Sequence, residues 1–147
     1  MSIHHFDGFS IARGDITVDV DMSRVERNLN KAQFALDSAI MTSMEPYMPM
    51  DTGQFIAVTK GMSAALAGTG QVVAAAPPTG RFLYEGKVMV GVKSRSAWAK
   101  KGERKITIGK NLRYSRGGAQ ANWFEKAKSE DLDSWVNLVQ NIVGGDG

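Results

Sequence analysis

The chain alternates apolar and polar residues over residues 14–21, with apolar positions at Ile16, Val18 and Val20. A period of two residues is typical of a strand that buries one face. We therefore predict a strand over this stretch and interpret the preceding residues, 1–13, as an N-terminal arm.

The pattern then changes to a spacing of three and four residues, which is typical of an amphipathic helix. Asp21 or Ser23 can cap its N-terminus, and the helix should end near Tyr47 because Pro49 cannot continue it. The stripe expected to face the core contains Val25, Leu29, Ala32, Leu36, Ala39 and Ile40.

Two further apolar residues of this helix fall on its opposite side. Phe34 and Met41 are seven residues apart, which corresponds to two turns along one line. A helix with apolar residues on both sides usually packs on both sides. The second partner is either another layer of the same domain or a neighbouring subunit, which would make Phe34 and Met41 interface residues.

Shorter elements are predicted in the middle of the chain. Asp51 or Thr52 can cap a short second helix. Two strands, near residues 62–67 and 71–76, are predicted on either side of a glycine-containing turn at 68–70.

Helical segments dominate the C-terminal side. Residues 81–89 predict one or two helical turns that lead into an extended stretch, and residues 119–128 predict a further helix. The last helix is capped by Ser129 and ends at Gly144, so residues 144–147 form a frayed tail. Its predicted buried stripe contains Leu132, Trp135, Val136, Val139, Ile142 and Val143.

This order of elements indicates an α+β fold in a single domain of residues 1–147. We expect a small, mostly antiparallel sheet with the long N-terminal helix packed across it. The composition, 43% apolar and 22% charged over 147 residues, is typical of a chain with a packed core and excludes a disordered or collagen-like one.

The net charge of +3 is unevenly distributed. Residues 91–117 hold nine basic residues against one acid, a net charge of +8, whereas the other 120 residues hold nine basic and fourteen acidic residues, a net charge of −5. The segment is rich in Gly and Ser, so we predict a long mobile loop around a short strand at 105–108. Its basic residues are Lys93, Arg95, Lys100, Lys101, Arg104, Lys105, Lys110, Arg113 and Arg116.

A basic loop of this kind is either a solvated segment or a surface that contacts a polyanion. The polyanion would be an acidic protein surface or a nucleic acid, bound without reading its sequence. Trp98 and Tyr114 are the aromatic residues of the loop that could stack on bases.

Few residues of the chain suggest catalysis. There is no Cys, which excludes disulfides and thiol nucleophiles, and the two His are adjacent at His4 and His5. Asp15, Asp19 and Asp21 alternate along the predicted strand, which an exposed polar face explains better than a divalent cation. We therefore expect no enzyme activity, no metal and no cofactor.

No apolar run reaches the length of about 18–20 residues that a membrane helix needs. The first ten residues lack the basic and apolar regions of a signal peptide. We expect a protein that is made in the cytosol and has no membrane partner.

Three motifs follow one another in the chain, at residues 49–55, 82–89 and 123–128. Their characteristic residues are Pro49, Asp51, Thr52, Gly53, Tyr84, Gly86, Trp123 and Phe124. In this order the motifs resemble the minor capsid, or head–tail joining and tail-completion, proteins of long-tailed bacteriophages, over roughly residues 20–145. One departure is the Pro77–Gly80 stretch, which stands where the family tends to place an additional Tyr.

The resemblance implies a structural protein of the virion neck, assembled in the host cytoplasm. It implies a cyclic homo-oligomer, a hexameric ring that matches the sixfold symmetry of the tail. The implied partners are a head-completion protein on one side and tail-terminator or tail-tube subunits on the other. The basic loop would then dock on an acidic surface of the next ring, or face the channel and meet the genomic DNA that passes through it.

Two other functions compete with this interpretation. One is a small non-specific nucleic-acid-binding protein that uses the basic loop 91–117. The other is a phage nuclease, which is less favoured because the sequence offers no evident cluster of metal ligands.

Overall fold

A computed structural model describes residues 7–145 of the chain. His4, His5 and the last two residues of the predicted frayed tail lie outside the described residues. The strands are β1 (Phe9–Arg13), β2 (Ile16–Val20), β3 (Lys87–Gly91) and β4 (Lys105–Asn111). The helices are α1 (Ser23–Met44), α2 (Gln54–Leu66), α3 (Gly80–Glu85) and α4 (Trp123–Gly144), and a 3-10 turn at Glu45–Tyr47 follows α1.

The predicted α+β class is confirmed. Over residues 7–145 the strands form two separate antiparallel hairpins, β1 with β2 and β3 with β4. The strand predicted at residues 14–21 is β2, and its partner β1 lies within the residues that we had interpreted as an arm. We expected α1 to pack across a sheet. In the structure it packs chiefly along α4.

The core lies where α1 and α4 meet the start of α2. Its buried members are Met41, Met44, Met48, Ile56, Trp123, Ala127 and Trp135. The expectation that Met41 contacts a neighbouring subunit is therefore wrong, since only 6% of this residue is exposed and it packs inside its own chain. Phe34, on the same line of α1, is 56% exposed.

The start of α1 differs slightly from the prediction. Met22 holds the N-cap position, and Asp21 acts one residue earlier, accepting hydrogen bonds from the Ser23 backbone N–H at 2.9 Å and from its hydroxyl at 3.0 Å. The backbone hydrogen bond in particular lowers the pKa of the Asp21 carboxyl. Val25, expected in the buried stripe, is 40% exposed.

The two strands predicted around residues 68–70 are wrong. α2 continues through the first of them to Leu66, and residues 71–76 form no strand. Two buried hydroxyls of α2 explain this, because they satisfy the backbone that a strand partner would have paired. Ser63 Oγ donates to the Val73 carbonyl at 2.9 Å and accepts from its N–H at 3.0 Å, and Thr59 Oγ1 accepts from the Ala76 N–H at 3.2 Å.

The predicted helix boundary at Ser129 is also wrong, since α4 is one helix that begins after Asn122 and includes Gly144. Ser129 Oγ instead donates to the Lys126 carbonyl, three residues earlier, at 2.7 Å. On the same helix the rings of Phe124 and Trp135 stack with 6.3 Å between their centroids.

Part of the predicted stripe of α4 is not buried. Trp135 is buried against α1 and its indole N–H donates to Ser43 Oγ at 3.1 Å. Leu132, Val136 and Val143 remain between 37% and 45% exposed.

Candidate functional site

The hairpin of β3 and β4 carries seven of the nine basic residues of segment 91–117. β4 is longer than the predicted strand, and the loop between the strands is residues 92–104, called here the cationic loop. This loop holds five basic residues and one acid, Glu103. β4 and the residues after it add the remaining four basic residues of the segment.

Glu103 joins the two ends of the cationic loop through backbone hydrogen bonds. One carboxylate oxygen accepts backbone hydrogen bonds from Lys93 at 2.8 Å and Ser94 at 2.6 Å, and the other accepts from Lys100 at 2.9 Å. The two ends of the loop are thereby tied to a single side chain. The loop presents its cations from a fixed backbone.

Gly91, the last residue of β3, leaves the space in which this carboxylate sits. A Cβ at this position would lie 2.5 Å from Glu103 Oε1 and would also collide with Ser94 Oγ. The chain turns tightly here, because the Gly91 carbonyl accepts from the Arg95 N–H at 3.0 Å. Glycine is therefore the residue that fits.

Hydrogen bonds from the Ser94 and Lys100 backbone are the main causes that lower the pKa of Glu103 from 4.5 to about 2. The folded pKa lies below the ordinary value, so the loop is fully held above pH 4.5 and loses this support as the pH falls towards 2. We expect the Ser94 and Lys100 amide resonances to shift over that pH range. Glu103→Gln should weaken their protection from hydrogen exchange at neutral pH, because the amide keeps only one of the two accepting oxygens.

The matched control for this variant is Glu130→Gln, because Glu130 is an exposed acid paired only with Lys126 on α4. It should leave both loop amides protected. Protection of both amides that is unchanged in Glu103→Gln would contradict the role assigned to this carboxylate.

The basic residues are not equivalent. Most are exposed, namely Lys93, Arg95, Lys100, Lys101, Arg104, Lys110 and Arg113. Lys105 is half-buried. Arg116 was expected among the contact residues, but its guanidinium donates to the Glu45 and Met48 carbonyls at 3.0 and 3.3 Å, so it closes the end of the 3-10 turn.

The two aromatic residues of the segment also differ. Trp98, in the cationic loop, is 90% exposed. Tyr114 is half-buried and its hydroxyl donates to the Leu83 carbonyl at 2.5 Å, so it is not available for stacking on bases. Burial raises the pKa of Tyr114.

A pocket of about 700 Å³ lies beside the cationic loop and is lined by Lys93, Lys100, Lys101 and Arg104 together with Glu103. The carboxylate faces its own backbone amides, which leaves the cations as the groups that a ligand would meet. The arrangement can bind an anionic surface and offer an apolar contact through Trp98.

The three motifs converge in the core rather than at this loop. Trp123 is fully buried and makes edge contacts with Tyr84 at 4.7 Å and with Phe55 at 6.0 Å between ring centroids. Its indole N–H donates to the Ala74 carbonyl at 2.8 Å, and the Asn122 N–H donates to the Tyr84 carbonyl at 2.8 Å.

Gly86 allows the second and third motifs to touch. Its φ of +69° ends α3 in the left-handed region, and a Cβ at this position would lie 2.7 Å from the Cβ of Ala121. The prediction of a short helix that leads through Gly86 into an extended stretch is confirmed by α3 and β3.

The remaining motif residues support the start of α2 and α4. Gly53 is the N-cap of α2, and Thr52 Oγ1 accepts from the Gln54 N–H at 3.4 Å, whereas Asp51 is exposed. Pro49 follows the 3-10 turn. Phe124 stacks on Trp135.

Sequence reasoning missed Glu103 and Asp37. Glu103 is the single acid among nine basic residues of its segment, and that contrast is a signal that could have found it. Asp37 is a carboxylate within the apolar pattern of α1 and is 3% exposed. A charged residue in an apolar stripe indicates a partner within the fold.

Among residues 7–145, no three His, Cys, Asp or Glu side chains are grouped so that they could hold a metal ion. No helix in this part of the chain combines the length and apolar character that spanning a bilayer requires. Comparisons with protein-family models, with curated proteins and with solved structures found no match.

Proposed function

We propose that this protein is a structural component of a bacteriophage neck, a head–tail joining or tail-completion protein that forms a ring. In this role it connects the head-completion complex to the tail terminator or tail tube. The genomic DNA passes through the channel of the ring. A hexamer matches the symmetry of the tail.

The contact of the three motifs around Trp123 is the observation that supports this proposal. Phe55, Tyr84 and Trp123 come from motifs separated by at least 26 residues, yet their rings pack together. Motifs that form one structural unit are a better basis for a family resemblance than three unconnected matches. The resemblance, and not this cluster, supplies the function.

The distribution of exposed residues is compatible with a ring subunit. Each subunit of a head-to-tail ring needs two different contact surfaces. The chain exposes the cationic loop on one hairpin, and it exposes the apolar ring of Phe34 on α1 beside Gly68.

Phe34→Asp should shift the purified protein from ring to monomer, because a charge replaces an apolar side chain at the proposed subunit interface. Multi-angle light scattering gives the mass, and negative-stain electron microscopy shows the rings. Circular dichroism should remain unchanged, since Phe34 is 56% exposed in its own chain.

Ser38→Asp, one turn further along the same side of α1 and also exposed, is the control for the added charge. It should reduce ring formation less than Phe34→Asp. An unchanged ring in Phe34→Asp would remove this residue from the interface. Heads and tails of the parent phage that join at the normal rate without the protein would overturn the neck function itself.

A second candidate function is non-specific nucleic-acid binding. The observation that favours it is the exposed Trp98 among five loop cations, since aromatic stacking and phosphate neutralisation commonly act together. Retention on DNA at physiological salt, with a steep dependence on salt concentration, would favour this candidate. Weak retention would favour docking of the loop on an acidic protein surface.

A further inference from the structure

The hairpin of β1 and β2, called here the N-terminal hairpin, stands apart from the rest of the described chain. Its two strands pair with each other, and among residues 7–145 no other element packs closely against them. An isolated two-stranded hairpin is at best marginally stable in water. A surface outside this chain would therefore stabilise it.

The backbone register of the N-terminal hairpin pairs apolar residues with one another. Phe9 lies opposite Val20 and Ile11 opposite Val18, and residues directly opposite each other share a face of an antiparallel ladder. Ser10, Thr17 and Asp19 occupy the alternate positions, whereas Arg13 is paired with Ile16 at the end of the ladder. Ile16, at the end of the ladder, is 68% exposed.

The charge of the N-terminal hairpin is opposite to that of the β4 region. Residues 7–21 contain four Asp and one Arg, a net charge of −3, whereas residues 100–113 contain six basic residues and one Glu, a net charge of +5. Asp21 is engaged by Ser23. Asp15, in the turn, is exposed and is an acid that a basic partner would meet.

β4 offers an edge that fits such a partner. Within the described part of the chain, β4 pairs only with β3, so its other edge carries unpaired backbone groups. Ile106 and Ile108 share one face of β4 and are half-buried. An added strand with an apolar face would continue that surface.

We propose that the N-terminal hairpin of one copy adds to the open β4 edge of a neighbouring copy, forming one inter-subunit sheet from two hairpins of opposite charge. The two contacting surfaces differ, so the contact is head-to-tail and can close into a ring. This inference rests on the proposed function, in which copies of the chain associate in a ring.

The absence of Cys from the chain allows a specific cross-linking test. Two single variants are mixed, one with Thr17→Cys on the N-terminal hairpin and one with Thr107→Cys on β4, both exposed positions. A short bismaleimide should link the two variants to each other. Because each chain carries one Cys, every link between these two positions joins different copies.

Ser134→Cys, at an exposed position of α4, replaces Thr107→Cys in the matched control and should give no link to Thr17→Cys. Adding Asp15→Lys and Asp19→Lys to the hairpin variant should reduce the yield by about tenfold or more, since facing like charges cost several kcal/mol. Adding Lys110→Glu and Arg113→Glu to the β4 variant should restore it.

Rings that form without links between Thr17→Cys and Thr107→Cys would overturn this contact and leave the ring proposal standing. Equal linking to Ser134→Cys would also overturn it, because the hairpin would then lie elsewhere. A chain that stays monomeric and unlinked overturns it as well. The neck function is decided separately, by whether the unmodified protein joins heads to tails.

Discussion

Trp123→Ala should lower the free energy of unfolding by about 3–5 kcal/mol, the usual range for a buried Trp replaced by Ala. The side chain is fully buried, and its loss would leave a cavity between Phe55 and Tyr84. The Ala74 carbonyl would also lose its hydrogen bond from the indole N–H. Urea unfolding followed by circular dichroism measures the change.

The chain contains its own control for this substitution. Trp98 is 90% exposed, so Trp98→Ala should change the free energy of unfolding by no more than about 0.5 kcal/mol. Trp123→Phe should give an intermediate loss, because it keeps an aromatic ring and removes the indole N–H. Similar losses for Trp98→Ala and Trp123→Ala would contradict the central position of Trp123.

Substitutions in the core and substitutions on the surface should affect ring formation for different reasons. Because the three motifs meet in the core, substitutions at Trp123 should weaken ring formation by destabilising the folded subunit. Substitutions at Phe34 or on the N-terminal hairpin should abolish it while the subunit stays folded. The motif residues therefore support the fold of the subunit, and the exposed residues form the proposed contacts between subunits.

Periodicity predicted the elements whose pattern is decided locally. The helix α1, its end before Pro49 and the passage from α3 through Gly86 to β3 follow from spacing and from single residues. β1 was missed although Phe9 and Ile11 alternate with Ser10 and Ala12, because that alternation is short.

Elements decided by distant contacts could not be predicted from the sequence. α2 extends through a predicted strand because Thr59 and Ser63 bind the backbone of residues 73–76. The phase of α1 placed Phe34 and Met41 on one line, but it could not show that the core covers one of them and leaves the other exposed.

In the candidate site too, some features could be predicted from the sequence and others depend on the fold. Counting charges along the chain located the cationic segment, because the charge of each residue type is known from the sequence alone. The counting could not show that Arg116 is used within the fold or that Glu103 fixes the loop, because both depend on backbone groups that the fold brings near.

Asp37→Ala should lower the free energy of unfolding by about 2–4 kcal/mol, because it removes a buried side chain that accepts three hydrogen bonds. One carboxylate oxygen accepts from the backbone N–H of Gly68 at 2.8 Å and of Gly70 at 3.0 Å. The other accepts from Gln33 Nε2 at 2.8 Å. The carboxylate thus fastens the turn after α2 to the middle of α1.

Asp37→Asn should cost less than Asp37→Ala, since the amide keeps one oxygen that can accept from the turn. The control is Asp133→Ala, at an exposed position of α4, which should change the free energy of unfolding by no more than about 0.5 kcal/mol. Equal effects at Asp37 and Asp133 would contradict this account. Phe34 lies against the same turn, so Asp37→Ala should also weaken ring formation, at protein concentrations where the folded subunit still predominates.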